Sequence, residues 1–163
     1  MTISRNLSIF AENVNSNGTI VLPTPSTGFS LATGGVTEVT NVVAGAVNTT
    51  PTAYFNTGAV QYYTTAAGAN WTQNLTFSSG TTLNSALSIG QTATIAIMTT
   101  QGSTAYYMNG TLTIDGSASG VTTYWQGNTA PTAGYASGID VYTYTVVKTA
   151  SATFTVLATQ TQF

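Results

Sequence analysis

The sequence predicts an all-β protein: an antiparallel sandwich or jelly-roll-like domain that follows an extended N-terminal arm. Three observations predict it. Val, Ile, Thr and aromatic residues are abundant, and these residue types favour strands. Short runs of them are separated by Gly, Pro, Asn and Ser, which form turns. Charged residues make up only 4% of the chain, so the ion pairs that support surface helices are scarce.

Ten segments fit the strand pattern. In chain order they are residues 19–22, 36–43, 59–65, 71–77, 92–100, 105–108, 111–115, 121–125, 139–148 and 152–158. A mild helical pattern occurs only at residues 4–14, where Leu7, Phe10 and Val14 would share a face. Because no helical segment stands between the later strands, we expect them to pair antiparallel.

The last two segments are expected to form a hairpin. In residues 152–158, Ala152, Phe154, Val156 and Ala158 share one face, while Thr and Leu occupy the other. Residues 139–148 alternate in the same way, and either of their faces is apolar enough to be buried. The polar connection "KTASA" between the two segments is short, as a hairpin requires.

Residues 1–28 are predicted to be an arm, and residues 29–163 the β domain. The arm is rich in Asn, Ser and Pro and carries scattered apolar residues, among them Ile3, Leu7 and Phe10. These suffice to dock on another surface but hardly to build a core. Three similar octets begin at residues 51, 103 and 131, and this uneven spacing argues against a solenoid of fixed period.

Composition excludes several classes of partner. The net charge is −2 and only two residues are basic, so no patch could neutralise the phosphates of a nucleic acid or attract an anionic membrane. The absence of Cys excludes disulfides and thiolate metal sites. The longest apolar run, "IAIM" at residues 95–98, is too short to span a bilayer, and the N-terminus lacks a signal-peptide core. We expect synthesis in the cytoplasm without export.

The residues predict no catalytic site and no cofactor. There is no His, and the four acids are far apart in sequence. A glycosidase-like pair of Asp115 and Asp140 is an alternative, but an Asp-Gly turn and a strand start explain these residues more simply. Calcium at a loop that contains one of them is a second alternative. Trp71, Tyr124 and Trp125 could form a sugar-binding platform, although packing in the core or at an interface is the preferred interpretation.

Residues 70–163 resemble a β-rich module of virion structural proteins from tailed phages of marine bacteria, including those of cyanobacteria. The residues that carry the resemblance are Trp71, Leu87, Gly90, Gln91, Ala105, Tyr106, "IDG" (114–116), "WQG" (125–127), "PTAG" (131–134) and the run from Ile139 to Phe163. The opening "SRNLSIFAENVNSNG" is similar, more weakly, to the start of small phage structural proteins.

The resemblance implies assembly and display on a virion, with no enzymatic activity. The expected function is capsid decoration on the particle exterior, with a tail-associated or tail-fibre module for host attachment as the alternative. The sequence contains no coiled-coil pattern and no shaft-forming repeat, which favours decoration over a tail fibre. A carbohydrate-binding or hydrolytic surface protein is a more distant alternative. The expected partners are the major capsid protein or tail components and further copies of the chain. The assembly candidates are Ile3, Leu7, Phe10, Trp71, Tyr124, Trp125 and Phe163.

Overall fold

A computed structural model of the chain describes residues 39–109 and 111–163, all of which fall in one compact unit. The predicted arm, residues 1–28, lies outside the described residues. The nine strands, in chain order, are β1 (Thr40–Val43), β2 (Thr52–Tyr54), β3 (Val60–Tyr63), β4 (Asn74–Thr76), β5 (Thr92–Thr100), β6 (Thr113–Ile114), β7 (Val121–Trp125), β8 (Ile139–Ala150) and β9 (Thr153–Gln162). The all-β prediction is confirmed for the described part of the chain.

The strands form two sheets. The larger sheet has the order β1-β3-β5-β8-β9-β7, and the smaller one has the order β2-β4-β6. The predicted C-terminal hairpin is confirmed, since β8 and β9 pair antiparallel from Asp140 with Gln162 to Ala150 with Thr153. Strand β9 continues past residue 158, where its prediction ended, because β8 offers it a partner along its whole length.

The first six strands alternate between the two sheets, so the chain winds in three successive turns. Each turn adds one strand to each sheet, and every pairing among these strands is parallel. In the larger sheet Thr40 lies beside Val60, and Val60 beside Ala96. The smaller sheet stacks Thr52 on Asn74 in the same manner.

The antiparallel prediction is therefore wrong for much of the fold, because the described strands form mixed sheets. Only the pairs β5–β8 and β8–β9 are antiparallel, and β7 pairs parallel with β9. Parallel neighbours need a long crossover, and the crossover is usually a helix. Here a strand of the other sheet takes that place, so the absence of helices did not imply antiparallel pairing.

One cluster of buried side chains joins the two sheets. The smaller sheet contributes Ala53, Leu75 and Ile114. The larger sheet contributes the residues Ile95, Ile97, Tyr142, Tyr144, Val146, Phe154, Val156 and Ala158. Burial alternates along β5, β8 and β9, so one face of the larger sheet lies in this core.

Three local elements differ from the predicted ones. Strand β2 was not predicted, because it is three residues long and follows Pro51. Residues 105–108 form no strand: the amides of Tyr106 and Tyr107 donate to the side chains of Gln101 and Asn70, in place of a ladder. A single α-helical turn, α1 (Leu83–Ala86), was also not predicted.

Candidate functional site

The face of the larger sheet that points away from the core is the first candidate site, and we call it the outer face. It consists of alternate residues of the strands. Those in register across the sheet include the rows Val42–Tyr62–Met98–Val141–Thr161 and Thr94–Thr145–Leu157–Tyr124. These side chains are apolar, aromatic or Thr, so β-branched and aromatic side chains are cross-strand neighbours on this face.

The outer face carries no charge among the residues described. The three charged residues that the structure describes are Asp115, Asp140 and Lys148, and none lies on it: Asp140 and Lys148 belong to the buried set of β8, and Asp115 follows β6. Val42, Tyr124 and Leu157 on this face are 61%, 56% and 53% exposed. Large apolar side chains thus reach solvent from a face without charge.

Two of the predicted assembly residues, Tyr124 and Phe163, lie on this side of the sheet. Tyr124 is the exposed neighbour of Leu157 in register. Phe163 is 68% exposed, and its backbone is paired in both directions with that of Ile139 at the start of β8. Ile3, Leu7 and Phe10 lie outside the described residues.

The prediction that Trp71 is an assembly residue is wrong, because the structure places Trp71 in the core. Its side chain is 1% exposed, and its ring packs edge-on against Tyr142 with centroids 5.4 Å apart. The Trp71 backbone bonds with residues Tyr107 and Asn109 hold it there. The ring therefore offers no surface to a partner or a sugar, and the platform of Trp71, Tyr124 and Trp125 does not form.

Trp125 and Tyr124, as neighbours on one strand, point to opposite faces of the sheet. The Trp125 ring packs edge-on against Tyr144, with centroids 6.2 Å apart and planes at 72°. The other side of Trp125 borders an open groove of about 620 Å³ at the end of β7 and β9. The groove is lined by Trp125, Gln126, Gly127, Thr129, Ala130, Pro131, Thr132, Ala133, Gln160, Thr161 and Gln162.

Asp140 lies at the start of β8, as the sequence predicted, and the structure shows that its side chain is fully buried. Its Oδ2 accepts hydrogen bonds from Gln101 Nε2 at 2.9 Å and from the Tyr135 amide at 3.2 Å. Its Oδ1 has no hydrogen-bond partner among the described residues. Burial raises the pKa of this carboxyl, and the hydrogen bonds lower it only in part. A side chain at Gly134 would collide with this carboxylate, since its Cβ would lie 2.8 Å from Oδ2.

Asp115 caps helix α1 from a distant part of the chain. Its Oδ1 accepts from the Leu83 amide and the Thr76 hydroxyl, both at 2.7 Å, and its Oδ2 accepts from the Asn84 amide at 2.9 Å. The predicted Asp-Gly turn is confirmed: Asp115 and Gly116 have φ of 53° and 80°, as a two-residue hairpin turn requires.

Lys148 serves the other end of the same helical turn. Its Nζ donates to the carbonyls of Asn84 and Leu87, the latter at 2.9 Å. The structure does not bring the two Asp residues together at one site, because their hydrogen-bond partners belong to different segments. Among the described residues, no group of three His, Cys, Asp or Glu side chains is placed to hold a metal ion.

Sequence reasoning missed the groove and the capping roles. Alternation along the last strand places Gln160 and Gln162 on the same face, so this signal was readable. The contact of this pair with the loop after Trp125 was not readable, because it joins segments about thirty residues apart. The capping of α1 by Asp115 and Lys148 depends on similarly distant contacts.

Comparison of the chain with models of protein families, with curated proteins and with solved structures gives no match. Among the described residues, no helix has the length and apolar character needed to span a membrane.

Proposed function

We propose that this protein is a structural component of a bacteriophage virion, and that it decorates the exterior of the capsid. The observation that carries the proposal is the outer face, a six-stranded surface without charge among the described residues. Charged residues are depleted from the cores of protein interfaces, because a desolvated charge is costly unless it is paired. The outer face is the surface through which the protein contacts its neighbours.

The size of the outer face supports this proposal. Six strands spaced ~4.8 Å apart give a width of roughly 24 Å, and strands of four to twelve residues extend roughly 13–40 Å. The resulting area is of the order of 600 Å², close to the ~800 Å² per partner of a standard interface. The occupants we propose are further copies of the chain and the major capsid protein.

We also propose that the two sheets pack face to face as a sandwich. The cluster of buried side chains that they share supports this packing.

The resemblance of residues 70–163 to virion modules supports the placement on a phage particle, and a tail-associated module is the alternative placement. We propose that residues 1–28 act as an arm that helps to hold the protein on the particle.

The test is the number of copies per particle, measured by quantitative mass spectrometry of purified virions of the phage that encodes the chain. Hundreds of copies support decoration, whereas a few to a few tens support the tail. Absence from purified virions overturns the proposal.

A chain that lacks residues 1–22 tests the role of the arm. This shorter chain should stay folded and bind particles poorly, and full binding would refute the arm's role.

A further inference from the structure

We infer that the groove beside Trp125 is a binding site for a neutral oligosaccharide. Its volume of about 620 Å³ lies within the ~300–1,000 Å³ typical of ligand sites. None of the described residues that line it is charged. A charged ligand would find no counter-charge there, so the chemistry selects an uncharged and polar molecule.

Trp125 supplies the flat apolar surface of the site. The ring is partly exposed on the groove side, and its contact with Tyr144 fixes its orientation. Sugar rings present C–H groups on one face, and an aromatic ring of fixed orientation covers such a face with little loss of side-chain entropy. Trp71, the only other Trp of the chain, is buried in the core.

Glutamine side chains supply the polar groups. Gln160 Nε2 donates to the Ala133 carbonyl at 2.9 Å and to the Tyr142 hydroxyl at 3.1 Å, and Gln162 Nε2 donates to the same carbonyl at 3.4 Å. These bonds orient the two amides and hold the loop against β9. Their Oε1 atoms can accept hydrogen bonds, while the Gln126 amide can both donate and accept. Sugar hydroxyls both donate and accept, so they match this set.

The backbone of the groove is shaped by its sequence. The short 3-10 turn Gln126–Asn128 after β7 places Gly127 and Asn128 at φ of 65° and 56°. These are left-handed conformations that Gly and Asn tolerate. Pro131 stiffens the wall that follows. A preformed wall reduces the entropy lost on binding, as a site for a weakly interacting ligand requires.

The experiment uses the full chain and a panel of neutral di- to tetrasaccharides of glucose, galactose and mannose, with sulfated and sialylated glycans beside them. Binding is read by protection of Trp fluorescence from acrylamide, because acrylamide reaches Trp125 and not the buried Trp71. We expect at least one neutral oligosaccharide to bind and to protect Trp125. Trp125→Ala should weaken this binding by about tenfold or more, as loss of an aromatic anchor does. That variant is measured by calorimetry because it lacks the reporter.

Two further variants separate binding from folding. Gln126→Ala removes no hydrogen bond that the structure describes and should weaken binding roughly threefold. Ser79→Ala is the control, because Ser79 is an exposed loop residue outside both the groove and the outer face, and this variant should bind as the unmodified chain does. The inference is overturned if no neutral oligosaccharide binds at millimolar concentration, if only the anionic glycans bind, or if Trp125→Ala and Gln126→Ala leave the affinity unchanged.

Discussion

At the scale of single residues, the three charged side chains that the structure describes are bound to amides, carbonyls and a hydroxyl. Asp140 bonds with an amide side chain and a backbone N–H, and Lys148 with two backbone carbonyls. Asp115 accepts from two backbone amides and a Thr hydroxyl. Each of these side chains therefore ties its own segment to a residue distant in sequence: Asp140 to Gln101, Asp115 to Leu83, and Lys148 to Leu87.

The buried Asp140 predicts a pH dependence of stability. Its pKa is raised in the folded state, so folding favours the protonated carboxyl. The contribution of the protonated Asp140 to the stability of the folded protein is complete below the ordinary pKa of 3.8. It is lost as the pH rises through the pKa that Asp140 has in the folded state. Tyr142 interacts electrostatically with Asp140, and the pKa of its hydroxyl lies far above this range because the hydroxyl is buried.

Asp140→Asn keeps an acceptor for Gln101 and Tyr135 but cannot ionise. We expect the stability of the unmodified chain, relative to this variant, to fall as the pH rises from about 4. Urea unfolding of both proteins at a series of pH values measures the difference, and the titration of other acids largely cancels in it. A difference that stays constant with pH would show that Asp140 is not desolvated in the folded protein.

Asp115 predicts a stability effect at helix α1. In Asp115→Asn the side-chain NH2 takes the place of one carboxylate oxygen and faces a backbone N–H. Two donors cannot bond with each other, so one of the three hydrogen bonds is lost. We expect a loss of about 1 kcal/mol in the free energy of unfolding. Asn also tolerates the positive φ at this position, which keeps backbone strain out of the result. Unchanged stability in urea would show that the cap contributes nothing.

At the scale of elements, β9 is the strand on which the larger sheet depends. It lies between β8 and β7, so its loss would also leave β7 without its neighbour. Its buried side chains Phe154, Val156 and Ala158 fill the core. The sheet edge exposed on β8 would be long and apolar, which favours aggregation.

A chain that ends at Lys148 should therefore be insoluble or unfolded. Full burial of Phe or Val contributes ~1.5–3 kcal/mol each, and the stability of a whole domain is only ~5–15 kcal/mol. A chain that ends at Gln160 is the control, because it lacks only the exposed residues Thr161, Gln162 and Phe163. Solubility and thermal melting distinguish the two. If the shorter chain melted like the intact one, β9 would be an appendage.

At the scale of the whole molecule, the sequence allowed the strands to be predicted better than their connections. Period-two alternation identified β5 and β7 with the bounds that the structure has, because side chains alternate between the faces of a sheet. The hairpin of β8 and β9 was readable because its turn is short. These features depend on neighbours in sequence, which is why they could be predicted.

The winding of the first six strands could not be predicted, because its turns differ in length. The pair Thr40 and Val60 is 20 positions apart, whereas Val60 and Ala96 are 36 apart. No repeat of fixed period marks such turns in the sequence. The candidate sites have the same limit. Tyr124 and Phe163 were named from the sequence as assembly candidates, but the groove forms only where the loop after Trp125 meets β9.

Sedimentation of the full chain and of Leu157→Lys tests whether copies of the protein associate through the outer face. Leu157 is 53% exposed on the outer face, so a Lys there leaves folding intact but puts a charge into any interface. We predict that the unmodified chain and Ser79→Lys, a matched change at an exposed loop residue, sediment as a multimer, while Leu157→Lys sediments as a folded monomer. A Leu157→Lys protein that assembles as fully as the unmodified chain, or an unmodified chain that stays monomeric at high concentration, would contradict the claim that copies associate through the outer face.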